Sequence, residues 1–353
     1  MRFHLVGMAH TQTTKEYNVC AFTALAVKMA DMMYDLGHEV FLYAGDENDA
    51  RCTELITCIS KREQKRWGKV TGPHNILNAG FDRDSRLWST FNKRAIKAMN
   101  ARMQTGDITL YSQGQTQEYV MSAMPDNQRI EYAVGYAGQS EQTHRIYPSQ
   151  AWMHAMYGRW YGCHATQGRV YDRVIPHYFD LDDFPIQPVK KPYFAFVGRM
   201  NHDKGPGIAV EAAKANGVPL VVAGLGEYQF PDWVTQLGLI GPEERAQLMG
   251  EASALFVPTR YLEPFGKVAV EAQLVGTPAI TSDWGGFPET VVNGVTGWRC
   301  HTQTDFNKAG AKALAGALEP WSVARASRKK FDMNVIRYEY EDYFKSLARE
   351  GKD

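Results

Sequence analysis

Cysteine is scarce in this sequence. The 353 residues include five cysteines, an odd number, and no two of them form a C-x-x-C pair; they are Cys20, Cys52, Cys58, Cys163 and Cys300. This pattern argues against a disulfide framework or a structural zinc site. We therefore expect reduced thiols, as in a cytoplasmic protein.

Excess charge and long apolar runs are also lacking. Lys+Arg and Asp+Glu number 39 each, so the formal net charge is zero, and any affinity for nucleic acid or anionic lipid must come from a local patch. No stretch approaches the roughly 18 apolar residues of a membrane span. The start, MRFHLVGMAH, lacks the apolar core of a signal peptide. We expect a cytoplasmic location, with peripheral contact at a membrane as the alternative.

The sequence does contain an alternation of β-rich and helical segments. FHLVG (3–7) predicts a buried strand, and a helix is predicted from about Cys20 to Leu36. The alternation of strand, helix and strand indicates a mostly parallel, doubly wound α/β sheet. Further strands are predicted at EVFLYAG, at ITLYS near residue 108, at RIEYAVGYAG near 129 and at RVYDRVIP near 169.

The alternation restarts after a proline-rich segment. PVKKPYFAFVG leads into a new predicted strand, and PLVVAG, ALFVPT and PAITS predict three more. We predict two Rossmann-like domains, residues 1–185 and 186–330, that face each other across a cleft. A charged helix over residues 331–353 is predicted to cross back to the first domain. In such sheets, ligands bind at the carboxyl ends of the strands.

Residues 254–299 carry the chemically informative pattern. Glu263 follows a predicted strand, Pro264-Phe265-Gly266 opens a helix, and Glu271 lies inside that helix. A helix N-terminus favours a phosphate, and a glycine lets it approach the backbone closely. The two carboxylates are poor phosphate ligands but good acceptors for hydroxyl groups of a sugar and a ribose. The E-x7-E spacing alone is more typical of surface charge; the strand and the glycine-rich turns around it favour a binding site.

These residues resemble a known family. EPFGKVAVEA, followed by GTPAITSDWGGFPETVVNGVTGW, is similar to the donor-site motif of family-4 glycosyltransferases of the GT-B fold. FVGRMNHDKGPGIAVEA (196–212) resembles the preceding motif of that family, and VIPHYFDLDDF resembles the segment that closes the first domain. The resemblance covers about residues 170–320. It implies transfer of a hexose from a nucleoside-diphosphate sugar, expected to be UDP-linked, to a hydroxyl acceptor.

The resemblance also implies roles for individual residues. Arg199 and Lys204 would bind the donor diphosphate and stabilise the charge of the leaving group, which fixed cations in a closed site do well. Glu263 would bind the transferred sugar and Glu271 the ribose, whereas Lys267 departs from the aliphatic residue common in the family. The predicted donor site is Gly198, Arg199, Lys204, Glu263, Pro264, Phe265, Gly266, Lys267 and Glu271, with Arg199, Lys204 and Glu263 as its catalytic residues.

Retention of anomeric configuration, without a metal or other cofactor, is a further implication of the resemblance. The leaving phosphate would take the proton of the acceptor, so no dedicated general base is expected. Asp180 and Asp182 lie in the segment that closes the first domain. We expect them to end a strand or cap a turn.

The first domain matches the family less well. A polar loop, MAHTQTTK, replaces the usual Gly-Gly turn after the first strand and is predicted to face the cleft, with a solvent loop that caps the next helix as the alternative. His144 and Arg145 are predicted to lie in a loop. The aromatic stretch from Trp152 to Trp160 is predicted to be core. The candidate acceptor or cleft residues are His10, Thr11, Thr13, Lys15, Gln113, Tyr136, His144, Gly285 and Gly286.

A local excess of positive charge lies in residues 61–102. Eleven basic side chains stand there against Glu63, Asp82 and Asp84. Such a segment fits a phosphate-rich acceptor, either duplex DNA or an anionic membrane, and equally a solvated surface balanced by acidic neighbours. The default acceptor is a lipid-linked or soluble glycan precursor. The alternatives are a hydroxymethylated base in DNA, which would have to be flipped from the duplex, and a sugar-nucleotide epimerase that needs no acceptor.

Overall fold

The chain divides into two compact units. The computed structural model describes residues 1–124, 128–162 and 168–350, so Cys163 lies outside the described residues. Unit 1 comprises the described residues of Met1–Tyr147, Thr166–Ile175 and Arg337–Asp353, and unit 2 those of Pro148–Ala165 and Pro176–Ile336. The predicted boundary at residues 185/186 thus falls inside unit 2. Each unit is built from more than one segment of the chain.

Unit 1 contains a parallel sheet of seven strands in the order β3-β2-β1-β4-β5-β6-β7. The run Phe3 to Val6 is buried, as expected for a strand covered on both faces of a parallel sheet. The strands are β1 (Arg2–Val6), β2 (Glu39–Gly45), β3 (Glu54–Ile59), β4 (Ile108–Tyr111), β5 (Arg129–Glu131), β6 (His144–Tyr147) and β7 (Arg173–Val174).

Helices cover this sheet. The hydroxyl of Ser85 caps the helix that buries Trp88 and Phe91 in the core of unit 1. The helices are α1 (Ala21–Asp35), α2 (Lys61–Gly68), α3 (Arg86–Asn100) and α4 (Glu118–Ser122), with 3-10 helices at Lys15–Val19, Pro73–Ala79 and Gly114–Gln117.

Unit 2 contains a parallel sheet of six strands in the order β10-β9-β8-β11-β12-β13. Successive side chains of the central strand Ala252–Val257 point to opposite faces of the sheet, with Leu255 in one hydrophobic core and Phe256 in another. Helices therefore pack on both faces of the sheet. The strands are β8 (Lys191–Val197), β9 (Leu220–Ala223), β10 (Thr235–Gln236), β11 (Ala252–Val257), β12 (Ala279–Ser282) and β13 (Gly297–Cys300).

The helices of unit 2 alternate with these strands. The charged C-terminal stretch contains two helices, because Asp332 adopts an extended conformation and ends the first of them; the helix predicted over residues 331–353 corresponds to the second. Its second helix begins in unit 2 and continues into unit 1. The helices are α5 (Gln150–Tyr161), α6 (Pro206–Asn216), α7 (Pro242–Glu251), α8 (Lys267–Leu274), α9 (Phe287–Thr290), α10 (Gln303–Leu314), α11 (Pro320–Phe331) and α12 (Met333–Glu350), with 3-10 helices at Leu181–Asp183 and His202–Lys204.

Several sequence-based predictions were wrong in detail. The strand predicted near residue 129 ends at Glu131, and Ala133 has a φ of 54°, which is incompatible with extended backbone. His144 and Arg145, predicted in a loop, begin β6, where the carboxylate of Asp172 accepts the backbone N–H of Arg145 at 2.9 Å. The aromatic helix α5 buries only Met156 rather than forming core.

Asp180 does cap a turn, as predicted: its carboxylate accepts the backbone N–H of Asp182 at 3.1 Å.

Among the helices of the described residues, none has both the length and the apolar character needed to cross a membrane.

Candidate functional site

The strand order of unit 2 places a crevice beside its two central strands. From β8 the chain continues to β9, which lies on one side of the β8–β11 pair in the strand order. From β11 it continues to β12, which lies on the other side of that pair. Loops that diverge in this way open a site at the carboxyl ends of the strands. The loops after β8 and β11 hold most of the predicted donor residues.

Gly205 brings these two loops into contact. Its φ is +69°, and a Cβ there would lie 2.2 Å from the carbonyl oxygen of Pro258, so only glycine fits. The backbone N–H of Arg260 donates to the carbonyl of Asp203 at 2.8 Å. Lys204 is thereby held beside the loop that follows β11.

Lys204 and Glu263 form an ion pair in this loop pair. The Nζ of Lys204 lies 2.7 Å from Oε2 of Glu263, and both side chains are largely buried. The Tyr261 hydroxyl donates to the same carboxylate oxygen at 2.7 Å. Burial and the neighbouring Glu263 raise the pKa of Tyr261, whereas the nearby Arg199 guanidinium acts in the opposite direction. Arg199 itself is exposed to solvent.

Two glycines fix the backbone around Glu263. The N–H of Gly286 donates to the carbonyl of Glu263 at 2.8 Å. Gly285 has a φ of +61°, and a Cβ there would lie 2.7 Å from the same carbonyl oxygen. The predicted glycine turn therefore packs directly against the predicted sugar-binding residue, and both belong to unit 2.

The N-terminus of α8 is not capped by a side chain of the described residues. Its N-cap, Gly266, has a φ of +85° and packs against the ring of Phe287. The helix therefore presents its first N–H groups and its partial positive charge to a ligand. Burial lowers the pKa of the His177 imidazole well below its ordinary value, and the nearby Lys267, which begins this helix, acts in the same direction.

Glu271 lies one turn further along α8 and is buried. Its Oε2 is 3.3 Å from Nε of Arg245 on α7. The alignment is too poor for a hydrogen bond, and within the described part of the chain both atoms lack a hydrogen-bond partner. A buried carboxylate oxygen with unused capacity can accept a hydroxyl hydrogen bond.

The loop after β1 in unit 1 is largely buried. His10, Thr11 and Thr13 are buried because they find partners inside unit 1, whereas Lys15 is exposed. The hydroxyls of Thr11 and Thr23 are 2.6 Å apart, and the Thr13 hydroxyl donates to the side chain of Asn48 at 2.7 Å. The first residues of this loop are therefore not the solvent loop considered as the alternative, and their role at an acceptor or cleft site stays a prediction.

His10 shows the effect of this burial most clearly. Its ring packs between Phe81 and Trp88, at centroid distances of 5.1 and 5.6 Å. Burial lowers the pKa of His10 to about 4, so the imidazole is neutral near pH 7.

The loops after β4 and β5 meet at Glu131. The Tyr136 hydroxyl donates to its carboxylate, and the backbone N–H of Ser140 donates to it at 2.9 Å. Burial raises the pKa of Glu131 to about 7 despite these bonds. Gln113 is buried, and its backbone N–H donates to the side-chain oxygen of Gln117 at 3.1 Å. His144 is half-buried, and its ring packs against that of Tyr171 in a tilted arrangement, with the ring centroids 4.8 Å apart.

The basic segment is partly neutralised by acidic partners. Lys61, Arg83, Arg94 and Arg102 form ion pairs, in that order, with Glu47, Glu118, Glu63 and Glu54. Three of these acids lie outside residues 61–102, so the local excess of positive charge is smaller than the sequence count indicates. Lys65, Lys69 and Lys93 are exposed.

The second half of the chain matches a family described as glycosyl transferases group 1, over residues 180–333. The chain carries a glycosyl transferases group 1 domain. A glycogen synthase from Mycobacterium tuberculosis is 36% identical over 165 residues, a match that covers 40% of this chain and 39% of that protein. The chain thus spans well under half the length of this curated relative.

Solved structures match both units and not only the group 1 domain. A sucrose-phosphate synthase from Thermosynechococcus elongatus is 20% identical and covers 98% of this chain and 99% of its own, with a TM-score of 0.66. HepE of Anabaena in complex with UDP and glucose is 15% identical and covers 98% of this chain and 100% of its own, with a TM-score of 0.65. The chain has the GT-B fold, with two parallel-sheet Rossmann-like domains.

Sequence reasoning missed Tyr261 and Arg245, which contact the two donor-site carboxylates. Tyr261 lies two residues before Glu263, just outside the EPFGKVAVEA motif, and a tyrosine in the loop after β11 carries no pattern that predicts a contact. Arg245 lies on a different helix from Glu271. Only the packing of α7 against α8 brings them together.

Proposed function

We propose that the protein is a glycosyltransferase that moves a hexose from a nucleoside-diphosphate sugar to a hydroxyl acceptor with retention of configuration. The observation that carries the proposal is the pairing of Lys204 with Glu263 beside the uncapped N-terminus of α8, inside the group 1 domain. A cation and free backbone N–H groups can bind a diphosphate, and a carboxylate can accept hydrogen bonds from the hydroxyls of the attached sugar.

Each part of the donor has a partner in this site. The diphosphate would bind at Gly266 and the N-terminus of α8, with Lys204 and Arg199 as its cations. Glu271, with its unused oxygen, would accept the ribose hydroxyls. Glu263 would accept the hydroxyls of the sugar.

The reaction breaks the bond between the anomeric carbon and the phosphate oxygen and forms a bond from that carbon to the acceptor oxygen. In our proposal the acceptor proton passes to the leaving phosphate on the same face of the sugar. The negative charge that develops on the diphosphate is stabilised by Lys204, Arg199 and the helix N-terminus. We propose that these groups supply the positive charge without a divalent metal.

We propose a lipid-linked or soluble glycan precursor as the acceptor and UDP as the nucleoside diphosphate. HepE is a structural neighbour described in complex with UDP and glucose, which supports a sugar nucleotide as partner. In the described residues, no separate observation favours a DNA base as acceptor or an epimerase reaction.

The test combines ligand binding with product analysis. Thermal unfolding should shift upward with one nucleoside diphosphate and its sugar derivative in a panel of UDP, GDP, ADP and their glucose and mannose derivatives. A ligand at 100 times its Kd adds about 2.7 kcal/mol of stability. Incubation with the donor and mixed glycan acceptors should give a glycoside whose anomeric configuration, measured by NMR, equals that of the donor, with and without EDTA. An isomerised sugar nucleotide formed from the donor alone would establish the epimerase instead.

Lys204→Ala tests the assigned catalytic group. Because Lys204 faces a phosphate that gains charge during the reaction, its loss should lower kcat by about tenfold to a thousandfold and leave the fold intact. Lys214→Ala, an exposed change on α6, is the matched control. Wild-type turnover in a folded Lys204→Ala protein would contradict the role.

A further inference from the structure

Tyr261 completes a triangle of side chains with Lys204 and Glu263. Its hydroxyl and the Lys204 Nζ each lie 2.7 Å from the same oxygen, Oε2 of Glu263. The Nζ is also 4.8 Å from the centroid of the Tyr261 ring, within the range of a cation–π contact. The three groups therefore fix one another.

The triangle uses only one oxygen of the Glu263 carboxylate. Within the described residues, Oε1 receives no hydrogen bond from another side chain or from the backbone. Two donors on Oε2 prevent the carboxylate from turning, so Oε1 keeps a constant direction. A fixed acceptor of this kind suits recognition of sugar hydroxyls, whose positions differ between hexoses.

Donor binding gives Lys204 a second negatively charged group to bind. A diphosphate carries more negative charge than one carboxylate and competes for the same ammonium group. The Tyr261 hydroxyl carries no charge, so the diphosphate does not compete for it as it competes for the Lys204 ammonium group. Because burial raises its pKa, it stays protonated and continues to donate across the physiological range.

We infer that Tyr261 is a positioning residue: its hydroxyl holds the Glu263 carboxylate in the orientation that receives the donor sugar while Lys204 binds the diphosphate. This inference rests on the proposed function and deepens it. It predicts that Tyr261 affects recognition of the sugar and not of the nucleoside diphosphate.

Tyr261→Phe removes the hydroxyl that donates to Glu263 and leaves the aromatic ring in place. Calorimetry should show an unchanged Kd for the nucleoside diphosphate that shifts the wild-type protein most in the panel above. The Kd for the corresponding sugar nucleotide should rise about tenfold, the size expected for a hydrogen bond to a charged group. Tyr193→Phe is the matched control, because it removes a 2.7 Å bond to the carbonyl of Leu248 elsewhere in unit 2. It should change neither Kd.

A double variant sharpens the test. In a Lys204→Ala background Tyr261 is, among the described residues, the one remaining donor to Oε2, so Tyr261→Phe should weaken sugar-nucleotide binding there by a factor at least as large as in the wild-type protein. Equal effects of Tyr261→Phe on both ligands, or no effect on either, would overturn the inference while the proposed function stands. If no member of the panel binds the wild-type protein, the proposed function fails and this inference fails with it.

Discussion

At the residue scale, the donor-site carboxylates differ in how much of their hydrogen-bonding capacity the protein uses. Glu263 has one oxygen filled by two donors. Glu271 has a buried oxygen whose nearest cation, Arg245, is poorly aligned for a hydrogen bond. The first is fixed in direction by the protein, whereas the second depends on a ligand to complete its bonding.

This difference predicts separate effects of two substitutions. Glu271→Ala should weaken binding of the free nucleoside diphosphate by about tenfold or more, because it removes an acceptor for the ribose. Glu263→Ala should chiefly weaken binding of the sugar nucleotide. Calorimetry with both ligands measures this, with Glu211→Ala on the exposed face of α6 as control. Equal effects of both substitutions on both ligands would contradict the assignment.

Residue types within a local motif were the predictable part of this site. The strand, the Pro264-Phe265-Gly266 turn and Glu271 within α8 lie where the sequence places them, because a glycine N-cap and a helical period are local properties. Contacts between distant segments were not predictable. Arg245 reaches Glu271 only through helix packing, and His10 packs against Phe81 and Trp88, which lie 71 and 78 positions further along the chain.

At the scale of elements, long apolar strands were predictable and short or mixed strands were not. β2 and β8 are continuous apolar runs, so pattern alone indicates them. β10 has two residues, Thr235 and Gln236, both exposed, and it exists only because β9 provides a pairing edge. β13 begins with a glycine, which is a poor strand former, and pairs with β12.

The basic helices α2 and α3 owe part of their charge to internal structure. Arg94 on α3 binds both oxygens of Glu63, at 2.8 and 2.9 Å. Glu63 in turn caps α2 together with Ser60. The hydrogen bond from Arg94 is the main reason why the pKa of Glu63 falls to about 2.

Arg94→Gln should therefore lower the free energy of unfolding by about 1 kcal/mol at pH 7. Because the folded pKa of Glu63 is depressed below its ordinary value of 4.5, the stabilisation is present above pH 4.5 and is lost as the pH falls toward 2. Urea denaturation at pH 7 and pH 3 should show a smaller difference from the wild type at the lower pH. Lys93→Gln, an exposed neighbour, is the control. Equal losses for the two variants at pH 7 would contradict this account.

At the scale of the whole molecule, helix α12 belongs to unit 1 from Arg337 onward, although its first residues, like the element before it, belong to unit 2. The ring of Phe344 packs 5.1 Å from that of Phe3, and Glu341 pairs with His38 at 3.0 Å. The Tyr343 hydroxyl donates to the carbonyl of Tyr171 at 2.6 Å. The core of unit 1 therefore includes residues from both ends of the sequence.

Removal of residues 337–353 should destabilise unit 1 selectively, because it exposes Phe3 and leaves His38 without its carboxylate. Unit 2 should still bind the nucleoside diphosphate, since its residues end at Ile336. Calorimetric unfolding should show a separate transition at lower temperature, while the binding isotherm is preserved. Loss of nucleotide binding together with the transition would contradict the independence of unit 2.

The distribution of unit 1 along the chain has a consequence for biosynthesis. A ribosome releases Met1–Tyr147 first, but these residues cannot complete their core until Phe344 has emerged. Unit 2 is fully synthesised before that point and can fold while translation continues. The unit that is started first is thus completed after unit 2, and during that interval its nascent sheet lacks the Phe344 ring that packs against Phe3.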